Sequence, residues 1–155
     1  MITRIISLIL VVYASYFFGL YFQGLVAPWE YNVSGKAFAE YHKAIDFYMG
    51  KRMPVLVLSY VGFMILFLIF NRKEWQSFAY WLIPLAIVLQ LFSIYIGITS
   101  NVRMNPEMNA WNPDNLPVNW EAMRDKWLYY HNRGRFINIP IQVIVFTSCY
   151  LFWNK

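Results

Sequence analysis

Four stretches of this chain are long and apolar enough to cross a lipid bilayer, which leaves few folds open. A span needs roughly 20 apolar residues, with about 17 to 25 tolerated. Residues 5–27, 54–70, 78–99 and 136–153 qualify. In hydrocarbon every backbone N–H and C=O must find a partner within the protein, so each stretch is predicted to be a helix. The expected fold is all-α: one integral membrane four-helix bundle over residues 1–155, with little chain left for a soluble domain. The chain is 59% hydrophobic and only 14% charged, against about 25% charged in soluble domains.

Arg4 ahead of the first run also admits a secretory signal peptide. That reading is disfavoured, because the run exceeds an h-region of about 7 to 15 residues and no small-x-small cleavage site follows. The fourth run carries no charge between Phe136 and Trp153, and Pro140 sits in its first turns, where a missing N–H is tolerated best. The single cysteine, Cys149, excludes an internal disulfide and a thiolate-cluster metal site. It is expected to be a small buried apolar residue.

The formal charge is +5. The cations are scattered and interleaved with acids, so no basic stripe forms and a nucleic-acid partner is not expected. Lys and Arg flanking apolar spans fit contact with the lipid bilayer, and Trp29, Trp75 and Trp153 fit interface anchors.

The connections alternate in length. Spans two and three are joined by a short turn, residues 71–77, whereas residues 28–53 and the Asn- and Trp-rich residues 100–135 are long. With four spans, both long connections fall on one side of the membrane, and a cap over the bundle mouth suits a small-molecule site. Arg4, Arg72, Lys73 and Lys155 lie on the short side, and nine cations lie on the long side. By raw count the long side would be cytoplasmic; by density the compact short side competes.

The first long connection predicts an interfacial amphipathic helix. Ser34 suits its N-cap. Ala37, Phe38, Tyr41, Ile45 and Tyr48 give one apolar face at helical spacing. Gly50 is expected to end the helix and Pro54 to open the next span. His42 borders the apolar face, and Asp46, one turn later, is placed to hold an imidazole tautomer.

The second long connection divides into three parts. Asn101 and Asn105, one turn apart, extend span three, and Gln90, Ser93, Gly97 and Asn101 form a polar stripe expected to face the bundle interior. Residues 109–120, with Pro113 and Pro117, read as a structured polar loop. From Trp120 a helix resumes, with Asn119 as its expected cap. Arg124, Trp127, His131 and Arg135 share one face of it, and Asn138 extends that face into the membrane. Arg supplies charge-assisted hydrogen bonds to an anionic or phenolic ligand, and His exchanges protons near neutral pH.

At these residues the chain resembles the anthrone-oxygenase-like family of small four-span membrane proteins. The resemblance covers nearly the whole chain. It is carried by SYFFGLYFQGLVAPW at the end of span one, by EYHKAID and KRMP in the first connection, and by Asn101-Val102-x-x-Asn105. Trp111 and the Trp127-x-x-x-His131 pair complete it. Two positions depart from the pattern: Arg103 stands where an apolar residue or proline is expected, and the basic residue after the histidine is divided into Arg133 and Arg135 around Gly134.

The resemblance implies an oxidoreductase acting on a hydrophobic phenolic or quinone-like small molecule, without an evident organic cofactor. By motif Asn101, Asn105, Trp127 and His131 would be site residues, with His42 in the matching first connection; Arg124 and Arg135 are candidate binding residues through the helical face they share with Trp127 and His131. Two mechanisms fit. In one, His131 or His42 deprotonates a phenolic substrate, and the carbanion reacts with oxygen directly. In the other, His42 and His131 ligate a metal ion or haem iron, with Glu30 or Asp46, although two isolated histidines make a sparse ligand set. The rival reading is a non-enzymatic membrane protein that binds a lipid or small molecule, forms a homo-oligomer or serves in a larger membrane complex.

Overall fold

The computed structural model describes residues 2–154; Lys155 lies outside them. The described residues form no strand beyond an isolated bridge between Asn112 and Asn115. Helix α1 spans Ile2–Val26, α2 Gly35–Phe70, α3 Phe78–Gly97, α4 Arg103–Asn109 and α5 Trp120–Trp153. A wide π-type turn over Ile98–Val102 joins α3 to α4 without a break. Among the described residues four helices are long and apolar enough to cross a membrane, α3 and α4 counting together.

The interfacial helix and the second span are one helix. Gly50 does not stop it, since no described glycine has positive φ, the conformation of a helical C′ stop. Pro54 removes one N–H and leaves the carbonyl four residues back, at Gly50, without its helical partner. Burial of Phe38, Ala39 and His42 on one side of this junction and of Tyr60, Met64 and Phe67 on the other outweighs that loss.

The helices outrun the apolar stretches. At 1.5 Å per residue the 36 residues of α2 are about 54 Å long and the 34 of α5 about 51 Å. A hydrocarbon core is only about 30 Å thick. The surplus of α2, α5 and the α3–α4 rod lies at the end carrying the two long connections, where these segments pack together as a cap.

In the bundle, α5 packs along α1 and α3, while α2 packs on α1, α3 and α4. The core includes Leu10, Phe17, Tyr60, Met64, Ile83 and Val145, with Cys149 buried among them. Val12, Leu58, Val88 and Phe92 point outward and are more than half exposed. Such apolar faces suit lipid rather than water. The interior also holds a polar seam. Asn138 Nδ2 donates to Ser93 Oγ at 2.6 Å and Tyr60 Oη to Gln142 Oε1 at 2.8 Å. Gln90 and Ser93 are buried, as their stripe predicts.

Candidate functional site

The cap has its own small core. Ser34 caps α2 by accepting from the Ala37 N–H. Gly35 is required by close approach: a Cβ there would sit 2.4 Å from Leu116 Cδ1 and 2.9 Å from the Trp120 ring. Phe38 and Ala39 are buried with Met108 and Trp111, and Val33, Met104, Leu116, Met123 and Trp127 pack around them. The loop from 110 to 119 is thus a strap across α2, tied at its tip by an exposed Lys36–Asp114 pair. Asn119 lies at the start of α5 but makes no side-chain cap.

Helical continuity places Asn101, Asn105 and Asn109 four residues apart, and all three are half-buried. Asn101 Nδ2 donates to the Trp127 carbonyl at 2.9 Å. Trp127 Nε1 donates to Asn105 Oδ1 at 3.0 Å. Asn105 and Asn109 each donate Nδ2 to one oxygen of Asp46. Asp46 therefore does not hold His42 directly, as its position one turn away had suggested. Both of its oxygens are taken by amides from α4, and it reaches His42 through one of them.

That relay determines the imidazole. The Asp46 carboxylate only accepts, so it takes the Asn109 NH2 and turns the Asn109 carbonyl toward His42. His42 Nδ1, 3.1 Å from Asn109 Oδ1, must then carry the proton. Nε2 is left with its lone pair, buried and without a hydrogen-bond partner among the described residues. The ring sits between Phe38, at 6.0 Å between centroids, and Trp127, edge-on at 5.2 Å. Burial lowers the His42 pKa from its ordinary value, against an opposing pull from Asp46 and the amides of Asn109 and Asn105.

His131 stacks on Trp127 at 4.4 Å, so one indole contacts both histidines. Burial, then the nearby Arg135 charge and His42, push the His131 pKa down to about 4. Arg135 is buried in a socket of its own. It donates to Glu30 Oε1 at 2.8 Å, to the Gly24 carbonyl at 3.1 Å and to Asn132 Oδ1 at 2.7 Å. Gly24 makes the socket possible, since a Cβ there would lie 2.2 Å from the guanidinium carbon. Arg124 stands apart, paired with Asp125 and lying 5.0 Å over the Trp120 ring.

The helices bring His42, Asn101, Asn105, Trp127 and His131 into one cluster, with Arg135 adjoining it and Arg124 outside it. Asn109, Glu30, Gly24 and Asn132 complete these networks and were missed as partners. Asn109 continues the four-residue period of Asn101 and Asn105, which was a usable signal; the other three reveal their roles only through α5. Among the described residues no three His, Cys, Asp or Glu side chains converge as a metal set. Of the carboxylates considered as ligands, Asp46 has both oxygens on amides, while Glu30 has Oε1 on Arg135 and its Oε2 buried without a hydrogen-bond partner among the described residues. Asp46 could join His42 in holding a metal ion or haem iron only by giving up its amides. Two surface hollows, one lined by Arg4, Ile5, Leu8 and Trp153 and one by Glu40, Lys43, Ala44, Phe47 and Pro113, lie away from the cluster.

Compared with known proteins, the chain matches no family model, no curated protein and no solved structure.

Proposed function

We propose that this is a multi-pass integral membrane protein whose helical cap holds a general-base site for a hydrophobic phenolic small molecule, centred on His42. The observation that carries this reading is the buried, unpartnered Nε2 of an imidazole whose other nitrogen is oriented by an Asn109–Asp46 relay. A structural histidine gains nothing from a buried lone pair, which costs about 1–3 kcal/mol when unsatisfied. A base needs that lone pair. His42 suits the role better than His131, because a group with a pKa near 4 is a weak base at neutral pH. His131 instead stacks on Trp127 and extends the aromatic wall.

The chemistry follows the resemblance to anthrone oxygenases. His42 Nε2 takes a proton from an acidic ring C–H, and dioxygen is the oxidant that reacts with the electron-rich carbanion. For a ring methylene the sum is CH2 plus O2 giving C=O plus water, with the imidazolium returning its proton as water leaves. Nε2 is sealed as the cap stands, so entry of substrate requires the Trp127 ring or the strap to move aside.

Dioxygen uptake by the purified protein with a tricyclic phenolic anthrone tests the reading. His42→Ala should lower turnover by roughly 100-fold or more; turnover equal to the intact protein's removes His42 from the chemistry. A second reading, a non-enzymatic binding or complex-forming membrane protein, is favoured by the self-sufficiency of Asp46, Asn105 and Trp127, which satisfy one another as interhelical glue does. It prevails if the intact protein takes up no dioxygen.

A further inference from the structure

The described structure contains five cation–π pairs, and four of them lie at the cap end with the same spacing. Lys51 lies 4.2 Å over the Phe47 ring, Arg52 5.3 Å over Tyr48, Arg124 5.0 Å over Trp120 and Arg133 5.6 Å over Tyr129. Each is an aromatic residue followed four positions later by a cation, so each pair stands along one face of a helix. Lys51, Arg52 and Arg133 differ from Arg124 in two ways. They come two to three residues before the apolar stretches that open at Pro54 and Phe136. They also have no acidic partner within ion-pair distance among the described residues, whereas Arg124 has Asp125.

These three cations are exposed, and their rings Phe47, Tyr48 and Tyr129 are more than half exposed. A soluble surface rarely leaves aromatic rings and unpaired cations together; a membrane interface uses both, the ring at headgroup depth and the cation against phosphate. The ring under each cation restricts a long side chain that would otherwise lose much rotamer freedom on binding. Lys51 and Arg52 are neighbours on α2 and Arg133 is on α5, each just ahead of the apolar stretch of its own helix. Carried by two helices at the same end of their apolar stretches, the three cations make up a collar.

We propose that this collar binds the phosphates of anionic phospholipids at the cap-side surface of the membrane and seats the cap against the headgroup layer. The proposal rests on the membrane reading but not on the His42 chemistry. The occupant is a lipid rather than free phosphate, because only a lipid also covers the rings and the apolar stretches directly beneath them.

The full-length protein reconstituted in nanodiscs of phosphatidylcholine, with and without phosphatidylglycerol, tests this, with bound lipid read by native mass spectrometry after release into detergent. The intact protein should retain phosphatidylglycerol in preference to phosphatidylcholine, and each of Lys51→Gln, Arg52→Gln and Arg133→Gln should weaken that preference by roughly 5-fold. Inorganic phosphate should not displace the lipid; if it does, the site is a phosphate site and the lipid assignment fails. Equal retention of both lipids by the intact protein overturns the proposal. So does an undiminished preference in the triple variant, or a preference lost instead in the opposite-end variant Arg4→Gln/Arg72→Gln/Lys73→Gln. Failure to insert into nanodiscs at all, with a soluble monomer recovered without detergent, overturns the membrane reading itself.

Discussion

The bundle and the cap are made from the same helices but are held together by different forces. Among the described residues twelve form the buried bundle core and four the cap core, yet in a membrane the larger core would not have the larger hydrophobic driving force. If lipid surrounds the bundle, its helices leave one apolar medium for another and associate through packing and interhelical hydrogen bonds such as Asn138–Ser93. In that arrangement the cap would stand outside the hydrocarbon, where burying Phe38, Met108 and Trp111 contributes about 1.5–3 kcal/mol for each large side chain. The cap must then offset the desolvation of Asp46, His42 and three asparagines from this small core. The lesson is a division of roles: the bundle fixes where the rods stand, and the cap uses its marginal stability to hold polar groups in one arrangement.

The largest effect is expected at the joint between the two regions. Arg135→Ala leaves Glu30 buried without its partner and should cost about 3–5 kcal/mol, read as a lowered thermal midpoint in detergent. Adding Glu30→Ala should restore part of the loss. A double variant no better than the single one would show that Arg135 acts through Gly24 and Asn132 instead.

Phe38→Ala should cost about 3 kcal/mol. The contrast between the regions predicts that this loss is local. Hydrogen exchange should quicken over residues 35–49 and 103–128 while residues 56–68 stay protected. Uniform loss of protection would mean that cap and bundle melt as one unit.

A pH dependence of intermediate size belongs to the cap alone. The His131 pKa is lowered in the fold, so on acidification the unfolded chain takes up a proton first. Stability is therefore full above about pH 6.5 and falls as pH drops toward about 4, by at most about 3 kcal/mol. His131→Phe should flatten most of that dependence in thermal melts at pH 7.5 and 5; an unchanged slope would assign it to other groups.

Smallest is Trp127→Phe, which removes one donor and leaves Asn105 Oδ1 unpaired, at about 1 kcal/mol. Its value is diagnostic. If the amide relay sets the His42 tautomer, the imidazole nitrogen shifts in NMR should barely move in this variant but change clearly in Asn109→Ala. Equal changes in both would mean that the indole, not the relay, orients the ring.

Much of the bundle was legible in the chain. Four apolar stretches of spanning length, Ser34 as a cap and the burial of Gln90 and Ser93 follow from composition and period, which are local properties. The continuity of α2 was not, because Gly50 and Pro54 are genuine stop signals that only packing on both sides overrides. Of the site, the face shared by Trp127, His131 and Arg135 was readable from helical spacing. The partners were not. Asp46 lies one turn from His42, so proximity along the chain suggested a direct bond; the amides that intervene come from residues 105 and 109, more than fifty positions away. Glu30 reads as an ordinary loop acid until Arg135 is seen buried against it.

Because α2 and α5 run unbroken from the apolar stretches into the cap, each would act in a bilayer as a lever with its fulcrum in the hydrocarbon. A spanning helix adjusts its tilt when the surrounding hydrocarbon thickens or thins. A change of about 5° moves a tip roughly 20 Å beyond the hydrocarbon by roughly 2 Å. His42 rides on one lever and Trp127 on the other. In a membrane, the thickness of the bilayer would then act on the distance between a buried nitrogen and the indole beside its ring.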